Sequence, residues 1–397
     1  MSTTSPTPSS RPLPNALLEQ MRHWRRDLHA HPETAFEEFR TSQIVAGLLQ
    51  NMGLEVHRGL AKTGVVATLR RGPGPAIGLR ADMDALDIEE VAGRPHGSVV
   101  PGKMHACGHD GHTAMLLGAA SHLAQDPGLN GTVHFIFQPA EEHAGGGREM
   151  VRDGLFERFP CQAVFALHNA PNLPFGTLST RTGPITSHSE TFEIAVTGKG
   201  SHAAQPEAGV DAIVVAARLV GDLQTIVSRN IPAADSLVVS VTQFHAGASW
   251  NVLPDQVVLR GTCRALNSKT ATQARQRILD LCQGLEVSYG CRTTVSFFAG
   301  YPACVNTPAE TALAVQVAET VLGSDKVDAH CAPRSGSEDF AFLLEHCPGA
   351  YVLLGAARDG ANPPLHNAAY DFHDDLLGIG AAYWVEMARR ATRLNPG

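Results

Sequence analysis

The run ETFEIAVTGKGSHAAQPEAGVDAIVVAARLVGDLQTIVSR, residues 190–229, interrupts the rhythm of the chain around it. ETFEIAVTG (190–198) alternates like a half-buried strand, and VDAIVVAARLVGDLQTIVSR (210–229) repeats apolar residues at helical spacing. SLVVSVTQF (236–244) and QVVLRGTCRA (256–265) read as strands, ATQARQRILDLCQGLEVSYG (271–290) as a helix, and RTTVSFFAG (292–300) as a strand. The order βαββαβ is the split-βαβ arrangement, a four-stranded sheet with two helices in the ferredoxin-like manner. The stripe Ile213, Ala217, Val220, Leu223 and Val227 is expected to seat the first helix on that sheet. Residues 186–299 therefore read as an inserted domain.

On either side the pattern is different. Residues 15–52 read as two helices, and then strands and helices alternate. GVVATLR (64–70), AIGLRA (76–81), TVHFIFQ (132–138) and AVFALH (163–168) are strands, with helices at 110–124 and 146–154. After Thr307 come helices near 308–322, 337–346 and 374–393 and a strand at 350–355. This alternation predicts an α/β fold with a mostly parallel sheet, formed by residues 15–185 and 300–397 as one discontinuous domain. The Ser/Thr/Pro-rich residues 1–14 are expected to be a disordered tail.

Composition excludes several classes. The formal charge of −8 argues against a nucleic-acid or membrane surface as partner. No apolar run approaches the roughly 20 residues that span a bilayer. The start of the chain lacks the apolar core of a secretory signal, and eight cysteines are scattered without a disulfide framework. The expectation is a cytoplasmic protein with reduced thiols.

The chemistry gathers at GKMHACGHDGHTAM (102–115), which holds His105, Cys107, His109, Asp110 and His112. One short loop rarely encloses an ion alone, and a sheet of this kind binds ligands beyond the carboxyl ends of its strands. Asp82 and Asp84 follow one strand there, Glu141 and Glu142 another; His168 ends a third, and His366 lies in the loop after 350–355. Taken singly, each has a plainer reading: Cys107 as core, Glu141 and Glu142 as a solvated pair, His202 as a turn cap. Their convergence on one edge favours a metal site. Cys107, His109, Glu142, His168 and His366, with Asp82 and Asp84 close by, are mixed N, O and S donors that suit two ions about 3.5–4 Å apart. Adjacent residues in an extended loop point different ways, so one of Glu141 and Glu142 can bind metal while the other takes a proton from water. That makes a hydrolase. His112 reads as a packing or supporting group, and His105 has no assigned role. GPGPAIG (72–78) precedes a strand instead of following one, and GGG (145–147) lacks the P-loop Lys-Ser/Thr, so neither reads as a nucleotide site.

In chain order, GLRADMDALDI, GKMHACGHDGHTAM, FQPAEEHAGGG, ALHN, GKGSHAAQPEAGVDAI, SGSEDF and LHNAAYDF resemble the aminoacylase/hippurate-hydrolase group of dinuclear metallopeptidases. That group includes auxin-conjugate and related N-acyl amino acid amidohydrolases. The resemblance spans the chain beyond its first residues. It implies two divalent ions, zinc or manganese with cobalt and nickel as alternatives, held by Cys107, His109, Glu142, His168 and His366, with Glu141 as general base. Cys107 stands where other branches place a metal-bridging Asp, which implies a bridging thiolate. Asp82 stands where they place a ligand His, so it is left out of the ligand set, and Asp84 is expected to orient a ligand. The resemblance makes the inserted domain a lid and dimerisation domain of a homodimer or higher homo-oligomer. His202 would reach a neighbouring subunit's site to stabilise the oxyanion, and Asn251 would contact substrate. Asp87 stands where the group commonly has Pro, outside the chemistry. The activity implied is metal-dependent cleavage of small N-acyl amino acids. A carboxypeptidase or dipeptidase using the same site is the alternative within enzymes. A catalytically silent metal-binding protein is the alternative outside them, and a base such as Glu141 would be of no use to it.

Overall fold

In the computed structural model, residues 13–142, 144–360 and 363–393 are described, and they form two compact units. The tail expected at 1–14 falls outside the described residues apart from Leu13, which is buried, and Pro14, which precedes helix Asn15–Ala30.

The first unit takes in residues 1–183, 305–332 and 339–397 and is built on an eight-stranded sheet. Its strands lie in the order Glu55–Leu60, Gly64–Arg71, Gly131–Gln138, Ala76–Asp82, Ala163–Ala170, Gly349–Gly355, Leu178–Ser179 and Val327–Asp328. The four strands from Gly131–Gln138 to Gly349–Gly355 are parallel to one another. They are near-continuous apolar runs, and every residue of Ala163–Ala170 is buried, as a sheet covered on both faces requires. On one side Glu55–Leu60 pairs antiparallel with Gly64–Arg71, which pairs antiparallel with Gly131–Gln138. On the other, Leu178–Ser179 runs against Gly349–Gly355 and parallel to the outermost strand Val327–Asp328. The sheet is thus mixed, with its parallel part in the middle. Only three residues, Ala61 to Thr63, join the first two strands, a link that permits antiparallel pairing alone.

Helix His109–Ala124 is buried along nearly its whole length, between Asn15–Ala30, Leu376–Ala391 and the sheet. Its start matters to the site. Gly108 precedes it at φ +93°, and a Cβ there would come within 2.4 Å of Asn169 Oδ1 and 2.7 Å of the Tyr370 hydroxyl. Only glycine fits, and the helix start is pressed against the segments that carry His168 and His366.

The second unit comprises residues 184–304 and 333–338; the sequence division had left 333–338 with the flanking domain. Its antiparallel sheet runs Leu237–Ala246, Gln256–Ala265, His188–Thr197, Arg292–Ala299, with helices Ala212–Thr225 and Ser268–Tyr289. In chain order these elements are βαββαβ. Asp211 caps the first helix by accepting from the Ile213 and Val214 amides, and Asn267 caps the second through Thr270. The first helix buries Ala212, Val215, Ala216, Leu219 and Leu223. The expected stripe was therefore rotated: Ala217 is exposed, and Ile213 and Val220 only flank the core. So apolar a helix offers two plausible faces, and its last turn widens into a π-turn at Ile226–Asn230 that shifts the phase of Val227.

Candidate metal centre

The carboxyl ends of the parallel strands carry the site. Just past Ala76–Asp82, Asp84 accepts from His109 Nδ1 with both its backbone oxygen, at 2.9 Å, and Oδ1, at 3.1 Å. His109 is the first residue of its helix, and its other nitrogen, Nε2, is buried with no hydrogen-bond partner among the described residues. That nitrogen faces Asp82 Oδ2 at 3.8 Å and Glu142 Oε1 at 4.0 Å. A buried imidazole nitrogen aimed at carboxylates with nothing bridging them is what a cation would satisfy.

The remaining expected ligands surround it. At the end of its strand, His168 donates Nδ1 to the Asn169 carbonyl at 2.7 Å and turns Nε2 to Cys107 Sγ at 3.4 Å. Burial holds the His168 pKa well below that of an ordinary imidazole, so its Nε2 lone pair is available. Burial, followed by the charges of Glu142, Glu141 and Asp82, pushes the Cys107 thiol well up, a field that a cation reverses. Ligating atoms of Cys107, Glu142 and His366 lie within 4.8 Å of one another. His366 Nε2 is 3.0 Å from Glu142 Oε1, and the His366 backbone, at φ +62°, is tied to the Cys107 loop by its N–H to the Ala106 carbonyl. The five residues expected as ligands are thus brought together, in an imidazole, thiolate and carboxylate set suited to zinc or a neighbouring transition metal.

Glu141 and Glu142 follow Gly131–Gln138 through a turn in which Ala140 takes φ +55°. Both side chains are largely buried, and Glu142 is fixed by its own amide, which donates to Asp84 Oδ2 at 2.9 Å. Glu141 Oε1 lies 3.4 Å from the Asp339 amide, and carboxylate oxygens of Glu141 and Glu142 lie within 4.8 Å of each other and of a His109 ring nitrogen.

A second tier supports these groups. Asp82 Oδ1 lies 2.6 Å from His112 Nδ1, and His112 Nε2 lies 2.6 Å from Asn169 Oδ1, so both nitrogens of His112 are engaged. Asn169 Nδ2 donates to the Tyr370 hydroxyl at 2.7 Å. Burial opposes the charge on Asp82, but His109, His112 and Arg80 outweigh it and keep the carboxylate ionised. Arg80, itself buried, donates to Asp82 at 2.7 Å, Gln138 at 2.9 Å and Asp339 at 2.8 Å. The sequence reading gave no role to Arg80, Asn169, Asp339 or Tyr370. The available signal was an arginine inside the apolar strand AIGLRAD, since such a residue is buried only with partners. His105 is buried with neither ring nitrogen partnered among the described residues, and burial drives its pKa down to about 3.

His202 and Asn251 belong to the second unit. The two-residue strands Ser201–His202 and Val252–Leu253 pair there, His202 opposite Val252. The Ala203 amide donates to the Asn251 carbonyl at 2.9 Å, and His202 Nδ1 accepts from the Ala204 amide at 3.1 Å. Both side chains are exposed on one small ribbon, beside the fully exposed Trp250.

Comparison with known proteins agrees with this chemistry. The chain is 38% identical over 384 residues to the N-acetyl-L-cysteine deacetylase of Bacillus subtilis (strain 168), covering 96% of this chain and 90% of that protein. It is 37% identical over 375 residues to the hippurate hydrolase of Campylobacter jejuni, covering 94% and 95%. A crystal structure from Bacillus subtilis, described as a dinuclear metal-binding peptidase of the M20 family, superposes with a TM-score of 0.84 at 34% identity, covering 96% of this chain and 99% of that one. Residues 78–390 match the profile of peptidase family M20/M25/M40, and the chain is a member of that family.

Proposed function

We propose that the protein is a metal-dependent amidohydrolase that cleaves the amide bond of N-acyl amino acids, releasing an amino acid and a carboxylic acid. The observation that carries this reading is the His109 Nε2, without a hydrogen-bond partner among the described residues, amid Cys107, Glu142, His168 and His366, with a second carboxylate, Glu141, in the same cluster. In this reading the first five hold two divalent ions, zinc or manganese. When bound, such ions supply the Lewis acidity that polarises an acyl carbonyl and acidifies water.

The protein's own groups do the rest. Glu141 accepts the proton of the attacking water and returns one to the leaving amine. The Asp339 amide, 3.4 Å from its Oε1, orients the carboxylate. Asp84 keeps the His109 tautomer with Nε2 free for a ligand's role. The unit spanning 184–304 serves as a lid and dimerisation domain of a cytoplasmic homo-oligomer. His202 stabilises the oxyanion in a neighbouring subunit's site, and Asn251 contacts substrate there. The names of the relatives support the substrate class: one deacetylates an acetylated amino acid, and the other hydrolyses hippurate.

The test is free-amine release from N-acetyl, N-benzoyl and indole-acetyl amino acids and from dipeptides. It uses protein stripped by chelator and reloaded with zinc or manganese. Turnover of the acyl amino acids that returns only with metal supports the reading. Cleavage of dipeptides alone makes the enzyme a peptidase, and bound metal without turnover of any substrate overturns the assignment as a hydrolase.

A further inference from the structure

We propose that Glu38 is a positioning residue for the reaction, its carboxylate clamping the left-handed turn at Ala140 that delivers Glu141 and Glu142 to the centre. The inference rests on the hydrolase reading above.

Among the described residues, five other than glycine take a positive φ: Phe36, Ala61, Lys62, Ala140 and His366. Such conformations are unfavourable for side chains bearing a Cβ and persist where the surroundings hold them. His366 is one of the expected ligands. Of the other four, Phe36 and Ala140 bond Glu38 directly, and Ala61 and Lys62 precede a third residue that does. Its Oε1 accepts from the Phe36 amide at 3.1 Å and from the Ala140 amide at 2.9 Å. Its Oε2 accepts from Thr63 Oγ1 at 2.6 Å, and Thr63 directly follows Ala61 and Lys62.

Glu38 immediately precedes helix Phe39–Asn51, where an acidic residue would ordinarily cap the helix, yet its side chain makes no capping bond. The backbone does make one, since the Ser42 amide donates to the Glu38 carbonyl at 2.8 Å. The side chain is thus anchored on a helix terminus and turned to Phe36, Thr63 and Ala140 instead of the helix amides. It is fully buried, as is Ala140, so no solvent can replace it as acceptor for the Ala140 amide. On its far side the Ala140 turn is closed by the Gly146 amide on the Ala140 carbonyl at 2.9 Å. Without the Glu38 acceptor, Ala140 would relax toward negative φ and carry Glu141 and Glu142 with it. A displacement of about 1 Å in a reacting group can cost on the order of 100-fold in rate.

The test compares variants saturated with zinc. Glu38→Ala is expected to lower kcat about 100-fold on the best N-acyl amino acid, with KM within about threefold of wild type. Glu38→Gln keeps the Oε1 acceptor and should recover kcat to within about fivefold. Hydrogen exchange at the Ala140 amide is read in parallel and should quicken at least about tenfold in Glu38→Ala but not in Glu38→Gln. A Glu38→Ala enzyme within about threefold of wild-type kcat per folded chain overturns the proposal, as does a loss of kcat with unchanged exchange at Ala140. If Glu38→Ala does not fold, Glu38→Asp, one methylene shorter, carries the same test. It should lose at least about tenfold in kcat, and retention of wild-type kcat overturns the proposal. If the wild type itself turns over no substrate, the hydrolase reading has failed, and exchange at Ala140 alone then upholds or overturns the clamp.

Discussion

Asp84 holds His109 by Nδ1 at 3.1 Å through one carboxylate oxygen while the other oxygen accepts the Glu142 amide at 2.9 Å. One buried side chain thereby aims two expected ligands that reach the site from different segments. Asp84→Ala should leave the fold intact and weaken metal binding about 10- to 100-fold. Competition against a chelator of known affinity measures this, and an unchanged affinity would remove Asp84 from any aligning role.

Glu141 stands beside the expected ligand Glu142, with its Oε1 3.4 Å from the Asp339 amide. Glu141→Gln preserves shape and removes the base, so kcat should fall about 10²- to 10⁴-fold at unchanged metal content. Elemental analysis and turnover on the same sample decide it. Near-wild-type turnover would show that the proton goes elsewhere.

His202 is exposed on a ribbon of the second unit and is proposed to act in trans. His202→Ala should lower kcat by about 10- to 100-fold without loss of metal. Mixing His202→Ala with Glu141→Gln should raise activity above that of either variant alone as subunits exchange, because some sites then receive both intact groups. No recovery from subunits shown to exchange would place His202 outside a neighbour's site.

A separate charge network predicts how stability depends on pH. Burial alone would lower the pKa of His29, but Asp110, 2.8 Å from Nδ1, and Glu90, 3.2 Å from Nε2, outweigh it and hold it at about 9. The folded value lies above the unfolded one, so the stabilisation is complete below about pH 6.5 and is lost as pH rises through about 9. Its size is on the order of 3 kcal/mol. The difference in unfolding free energy between wild type and His29→Gln, measured on chelated protein, should shrink by about that amount between pH 6 and pH 10. A difference that does not change with pH would mean that His29 is neutral throughout.

Elements with a steady period were legible before any coordinates. The strand Gln256–Ala265 and the helix Pro308–Leu322 keep the bounds read from periodicity. The strand Glu55–Leu60 went unread because EVHRGL carries charge and glycine at a sheet margin, and it forms through its hairpin partner. For the site, residues following parallel strands could be gathered by rule, because the topology sends every such carboxyl end to one edge. What supports them could not. Arg80 reaches Asp339 across 259 positions and Gln138 reaches it across 201, and nothing local in either segment announces the other. Glu38 was hidden for the same reason, since its Ala140 partner lies 102 positions away.

The place of Gly349–Gly355 beside Ala163–Ala170 has a consequence for biosynthesis. On the ribosome, Cys107, Glu142 and His168 emerge first, on a sheet whose Ala163–Ala170 margin is apolar and still unpaired. The intervening unit must be translated before the neighbouring strand appears, a delay on the order of 10–40 s at ordinary elongation rates. His366 follows that strand, so the last of the expected donors becomes available when the open margin closes. Nascent chains stalled between these two events would be prone to edge-to-edge association and would lack one expected donor, whereas released chains acquire both the closed sheet and all five expected donors.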